Sequence, residues 1–185
     1  MIGQLPISLT VGKQEIPIRS NMRTALLIFD AINNDALNEA GKIKVMLECL
    51  YKTEINYNDA EHLKEAIQKA KWFLDGGTTH KDTSKKVIDW QQDEQLIFSA
   101  INKVAGYETR TKEDMHWWTF LGYFTEIGES LLSTIISIRQ KKNTGKKLEK
   151  NEEEFYKKNK EIIDLKHKYT LDEQRIIDKL NNICK

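Results

Sequence analysis

The sequence is poor in anything that would staple it covalently, anchor it in a membrane or give it a strong net charge. Its 185 residues hold two cysteines, Cys49 and Cys184, far apart and outside any CxxC or Cys/His spacing. That argues against a disulfide scaffold and fits a reducing cytosol. His62, His80, His116 and His167 show neither HxxxH nor HExxH spacing, so no metal site is expected. No apolar run approaches the ~20 residues that a membrane-spanning helix needs. Residues 1–11 lack a basic start and carry Pro6, unlike a signal peptide. Lys and Arg number 29 against 28 Asp and Glu, a net charge of +1. That balance gives no global argument for nucleic acid or an anionic membrane. There is no internal repeat, and Gly76-Gly77 lacks both the GK[ST] and the preceding strand of a phosphate loop. A chain of this length affords one core without disulfide or metal. The expectation is a soluble domain in the cytoplasm, with no cofactor.

The chain does have clear periodicity. Ile7, Leu9 and Val11 alternate with polar residues, as do Ile16 and Ile18 around Pro17. Gly12-Lys13 between them predicts a two-residue hairpin turn, and Pro17 confines the second strand to an edge. From Ser20 the period becomes helical. Ser20 or Asn21 is expected to cap a helix to Ile32, with Ala25, Leu26, Phe29 and Ile32 inward. A second helix over 39–51 turns Ile43, Met46, Leu47 and Leu50 inward. Asn58 with Glu61 predicts a capping box for a third, ended by Gly76-Gly77. Asp89 is the expected cap of a fourth, carrying Trp90, Leu96, Ile97, Ile101 and Val104 and ending at Gly106. Thr111 and Asp114 are expected to cap a fifth, running to about Thr125, and an apolar run from Leu131 to Ile138 follows.

The stretch 114–139 organises the rest. Trp117, Trp118, Phe120, Tyr123 and Phe124 fall within eight positions, and aromatic rings of this size dominate burial. A helix so aromatic on several faces must be wrapped by the domain or by a partner. Beyond Arg139 the composition turns to Lys, Glu and Asn. Leu148, Phe155, Ile162 and Tyr169 recur every seven residues, one apolar position per heptad, too thin for a coiled coil. The fold class expected is mainly α: a multi-helix core with a small N-terminal hairpin over residues 1–142, a charged linker or extended helix over 143–169, and an amphipathic C-terminal helix over 170–185.

No residue pattern points to chemistry. His116 has only Glu113 and Asp114 near it and no nucleophile motif, so it reads as a structural or interfacial histidine. Asp89 and Asp93, one helical turn apart, have no third or fourth ligand for a divalent cation and read as capping and solvated residues. The basic residues from Arg139 to Lys150 are followed at once by Glu152, Glu153 and Glu154, a self-neutralising pattern that reads against nucleic acid.

Six segments taken in order carry a resemblance. They are Leu5-Pro6-Ile7-Ser8-Leu9-Thr10-Val11 with Ile16-Pro17-Ile18-Arg19 and Arg23-Thr24-Ala25-Leu26; Trp72-Phe73-Leu74-Asp75-Gly76-Gly77; Asp89-Trp90-Gln91-Gln92-Asp93; His116-Trp117-Trp118-Thr119-Phe120-Leu121; Ile135-Ile136-Ser137-Ile138-Arg139; and Leu165-Lys166-His167-Lys168-Tyr169. In this order they resemble the bacteriophage "gene product fifteen" family of long-tailed phages and prophages of low-GC Gram-positive bacteria. The resemblance implies a place in the tail gene module, near the major tail protein and the tape measure protein. Proteins in that place are typically small, helical, non-enzymatic assembly chaperones of the tape measure protein. The implied partners are therefore the tape measure protein, the major tail protein and further copies of the chain itself. A structural virion component, such as a tail-tube or connector protein, is the rival, and a DNA-binding accessory a more distant one.

A chaperone for a long helical client needs an apolar groove that takes an amphipathic helix. The residues expected to wall it are Trp117, Trp118, Phe120, Leu121, Phe124, Ile135, Ile138 and Arg139. The hairpin's free edge is expected to link copies by β-addition, with one of the two adjacent tryptophans turned inward and the other toward an interface.

Overall fold

The computed structural model describes residues 3–78 and 85–166. The expected C-terminal helix over 170–185, with His80, His167 and Tyr169, lies outside them. The described chain is mainly helical with one two-stranded antiparallel sheet, and it divides into two compact units.

The hairpin unit takes Pro6–Ser20 and Thr24–Phe73. Strand β1 (Ser8–Val11) pairs with β2 (Gln14–Pro17), with Val11 opposite Gln14. Gly12 supplies the turn with φ +61, a conformation that costs glycine nothing. Leu9, Val11, Ile16 and Ile18 are buried, the alternation that fixes register. Beyond the turn, the Gly12 N–H donates to the Glu65 carboxylate at 2.7 Å.

The second strand's outer side is not left open along its length. Pro17 O accepts from Lys52 N, Arg19 N donates to Leu50 O, and Ile18 forms a bridge with Tyr51. Among the described residues β1 pairs with no strand other than β2. Three helices complete the unit: α1 (Met22–Ile32) from Thr24 onward, α2 (Glu39–Leu50), and α3 (Ala60–Leu74) as far as Phe73. Arg19 Nη1 donates to the carbonyls of Glu48, Cys49 and Tyr51, satisfying acceptors that a helix C-terminus otherwise leaves open. Tyr51 Oη donates to Ala66 O at 2.9 Å. Burial, with Glu65 adding to it, pushes that phenol well above its ordinary range.

Some local expectations shift. Helix α1 buries Thr24, Ala25 and Ile28, whereas Leu26, Phe29 and Ile32 are only half-buried. Ile43 is half-buried while Met46, Leu47 and Leu50 are buried as expected. The cap of α3 is Asp59, not Asn58: its Oδ1 accepts from the N–H groups of Glu61 and His62. From one position later, the Asp59 carboxylate reaches the N2 and N3 donors directly.

The aromatic unit takes Asn21–Arg23 and Leu74–Lys166, with residues 3–5. Its helices are α4 (Glu94–Ala105), α5 (Trp117–Thr125), α6 (Leu131–Asn143), α7 (Lys150–Lys158) and α8 (Lys160–Ile163), with a 3₁₀ turn at Thr109–Thr111. Gly106 ends α4 with φ +79, as expected. Asp89 caps a turn before α4, its Oδ1 accepting from Gln91 N and Gln92 N, so the helix begins at Glu94. Val104, expected inward, is 37% exposed. No helix among the described residues is long and apolar enough to cross a membrane.

Candidate interaction surface

Helix α5 starts two residues later than a cap at Asp114 would have it. Its N-cap is His116, whose Nδ1 accepts from Trp118 N at 3.0 Å. Neither Thr111 nor Asp114 caps it. Histidine is an unusual cap, and an imidazole nitrogen lone pair does here what a carboxylate oxygen does elsewhere. Met22 N donates to Met115 O, and Asn21 bridges His116, so the approach to α5 is bonded on its backbone as well.

Trp117 is fully buried and its indole N–H donates to Leu74 O at 2.9 Å. Around it Trp90 packs edge-on at 5.8 Å and Phe120 stacks at 5.6 Å, while Phe98 and Phe124 extend the cluster through Phe120 and Trp90. Trp118 points elsewhere and is half-buried. It lies over the glycine turn that ends α3: a Cβ on Gly77 would stand 2.9 Å from its ring, and one on Gly76 would stand 3.1 Å from Leu121. Both glycines have positive φ, +68 and +83. They are needed for the backbone shape and for the room they leave to α5.

The second centre of the unit joins α4 to α6. Arg139 is 4% exposed and Asp93 1%, and they form a bidentate pair at 2.6 and 2.9 Å. Arg139 also donates to the carbonyls of Val87, Ile162 and Ile163, and Asp93 accepts from Asp89 N. Forked donors facing a carboxylate in the interior are the arrangement guanidinium suits best. Asp93 is therefore not a solvated residue, and Asp89 and Asp93 act as a cap and a counter-ion rather than as two ligands of one cation. No group of three acidic, cysteine or histidine side chains suited to a metal occurs among the described residues.

Part of the charged segment after Arg139 packs against the rest of the unit. Leu148, Phe155 and Tyr156 pack against a buried cluster of Ile135, Ile138 and Ile163, with Leu96 beside them. Lys141 pairs with Glu152 at 2.6 Å, and Lys142 with Asp164 at 2.6 Å. Gln92 holds the Asp164 carbonyl and accepts from Lys166 N. The hydrogen bond from Lys141 holds the Glu152 carboxyl below its ordinary range. Partial burial pushes Asp164 up, but hydrogen bonds from Lys142 and Tyr156 outweigh it and leave the carboxyl lowered.

Of the residues expected to wall a groove, Trp117, Phe120, Ile135, Ile138 and Arg139 are buried within the chain itself. An interior side chain meets a partner only where its cover is displaced. Trp118, Leu121 and Phe124 are half-buried on α5. The sequence reading missed the Asp93–Arg139 pair, although two of the resembling segments end in those opposite charges. It also missed Ile163 and Tyr156 as packing residues. A cleft of about 730 Å³ lies elsewhere, in the hairpin unit between β2 and residues 53–56, with His62 and Asp59 on its wall; none of the expected residues lines it.

Comparison with protein families matches the chain, over residues 1–165, to the family described as Bacteriophage Gp15 protein. No curated protein and no solved structure matches the chain. The matched span covers most of the 185 residues, and the chain belongs to that family.

Proposed function

We propose that this member of the Bacteriophage Gp15 family is a non-enzymatic tail assembly protein: a chaperone that binds the tape measure protein in the host cytoplasm while the tail is built. The observation that carries the reading is the family match over residues 1–165, together with the place in the tail module that the resemblance implies. The chemistry of the described residues is in keeping with it. The side chains a catalytic reading would have used are spent on architecture: His116 caps α5, Asp89 caps a turn, and Asp93 neutralises Arg139. What a helical client would meet is apolar surface, on the half-buried Trp118, Leu121 and Phe124 of α5.

The test is co-expression of the chain with the tape measure protein of the same phage, followed by affinity capture at low and moderate salt. Co-purification of the two supports the chaperone reading, and failure to associate at both salts ends it. Mass spectrometry of finished virions decides the other way of being a tail protein. A stoichiometric presence of this chain there would replace the chaperone by a structural component. A gel shift with duplex DNA that shows no salt-dependent binding removes the DNA-binding reading.

A further inference from the structure

Helices α7 and α8 form a strap whose attachment differs from that of the other elements. Helix α7 has no buried residue and α8 has one, Ile163. Ile163 sits on Ile135 and Ile138, with Leu96, Phe155 and Tyr156 half-buried around it. The polar contacts divide by sign. The α6 side supplies cations, Lys141, Lys142 and Arg139; the strap supplies Glu152, Asp164 and the carbonyls of Ile162 and Ile163 at the C-terminus of α8. Arg139 stays neutralised by Asp93 on its own side, so lifting the strap strands no unpaired charge in the interior. The connection from α6 turns at Gly145, exposed and with φ +70.

We infer that the α4–α6 face beneath the strap is a binding site for an amphipathic helix of a partner protein that carries carboxylates on its seated side, and that α7–α8 is its resident occupant, displaced when the partner binds. The seated segment specifies the partner's chemistry. It needs a carboxylate opposite Lys141, a large aliphatic residue in the place of Ile163, and a helix C-terminus whose carbonyls meet Arg139. Ile135, Ile138 and Arg139, expected to face a client, are the residues the strap covers. The strap therefore keeps an apolar face out of water until a helix of matching pattern competes for it. Ion pairs open to solvent on part of their surface hold a segment only modestly, which suits an occupant that must leave. The inference rests on the chaperone reading only for the identity of the partner.

The probe is a fluorescent peptide of residues 148–166 with the native sequence, titrated into the full-length chain. Compared with it is the variant Glu152→Lys/Ile163→Ala, in which the strap is weakened and the face is intact. The variant should bind the peptide about tenfold or more tightly than the native chain, whose apparent affinity is scaled by its open fraction. Adding Lys141→Glu/Lys142→Glu to the variant should abolish the gain. Equal binding to native chain and variant, or binding to neither, overturns the inference. So does loss of cooperative melting in the variant, because the strap would then be part of the fold rather than an occupant. Hydrogen exchange on the native chain gives a second reading: amides of 150–163 should exchange faster than those of α4 and α6, and equal protection overturns the inference. A chain that takes the peptide but never the tape measure protein keeps this site and ends the chaperone reading. The reverse result ends this inference alone.

Discussion

Replacing Arg139 by methionine keeps much of the side chain's length and removes its charge. The variant loses both bonds to Asp93 and the three to the carbonyls of Val87, Ile162 and Ile163. Asp93, 1% exposed, is then a buried carboxylate with the Asp89 N–H as its remaining named donor. Breaking one side of a buried pair costs about 3–5 kcal/mol. For a chain of this size each kcal/mol lowers Tm by about 2–4 °C, so a fall of roughly 6–20 °C is expected. Asp93→Leu alone should cost a similar amount by stranding the guanidinium. The double variant Arg139→Met/Asp93→Leu leaves no buried charge and should recover at least about 2 kcal/mol of the summed cost, within the range of couplings between touching residues. Urea unfolding followed by tryptophan fluorescence and by circular dichroism measures all three. A single variant within about 1 kcal/mol of the native chain, or a double variant equal to the sum of the singles, refutes the argument.

Trp117→Ala should destabilise by about 3–5 kcal/mol, since it empties a fully buried indole site, whereas Trp118→Ala should leave the fold standing and weaken tape measure capture; a melt paired with the pull-down separates the two. Gly77→Ala should cost at least about 1–2 kcal/mol from its positive φ alone. Trp118→Ala in that background should relieve only the added crowding, which a double-variant comparison of urea midpoints checks. Because Glu152 and Asp164 titrate below their ordinary values of 4.5 and 3.8, their hold on the strap is complete above those values and is lost as pH falls through the lower folded ones. The Ile163 methyl resonances should therefore move toward solvent-exposed positions in acid and stay fixed from pH 5 to neutrality; a shift completed above pH 5 would contradict it.

Features that are decided within a few residues were legible in the sequence. Gly12, Gly76, Gly77 and Gly106 all adopt the positive φ their turns require, and the alternation of Ile7, Leu9, Val11, Ile16 and Ile18 announced the hairpin and its buried face, except that Ile7 is 68% exposed. Where two local signals competed, tertiary context chose. Asp114 and Thr111 are ordinary caps, yet His116 caps α5 because Asn21 and Met22 bind the backbone just before it. Residues 143–160 carry too little apolar surface to announce a packed helix, and nothing local reveals that Arg139 holds the carbonyls after them. The resembling segments were legible as blocks but not as neighbours. The structure pairs them: Leu74 with Trp117, Gly77 with Trp118, and Asp93 with Arg139. These three contacts tie together segments that lie far apart in the chain.

The bond from Met22 N to Met115 O and the bridge from Asn21 to His116 mean that the aromatic unit is not a contiguous piece of chain. It takes its residues 21–23 from between the hairpin and the helices of the other unit. A fragment beginning at Leu74 would keep every ring of the aromatic cluster and still lack the backbone partners that sit at the entrance to α5. Such a fragment is a poor candidate for independent folding. On the ribosome, likewise, the N-terminal segment must wait for residues made much later, a long loop to close before α5 can be seated. The two units interleave along the chain, which would have to be cut at four places, 5/6, 20/21, 23/24 and 73/74, to separate them.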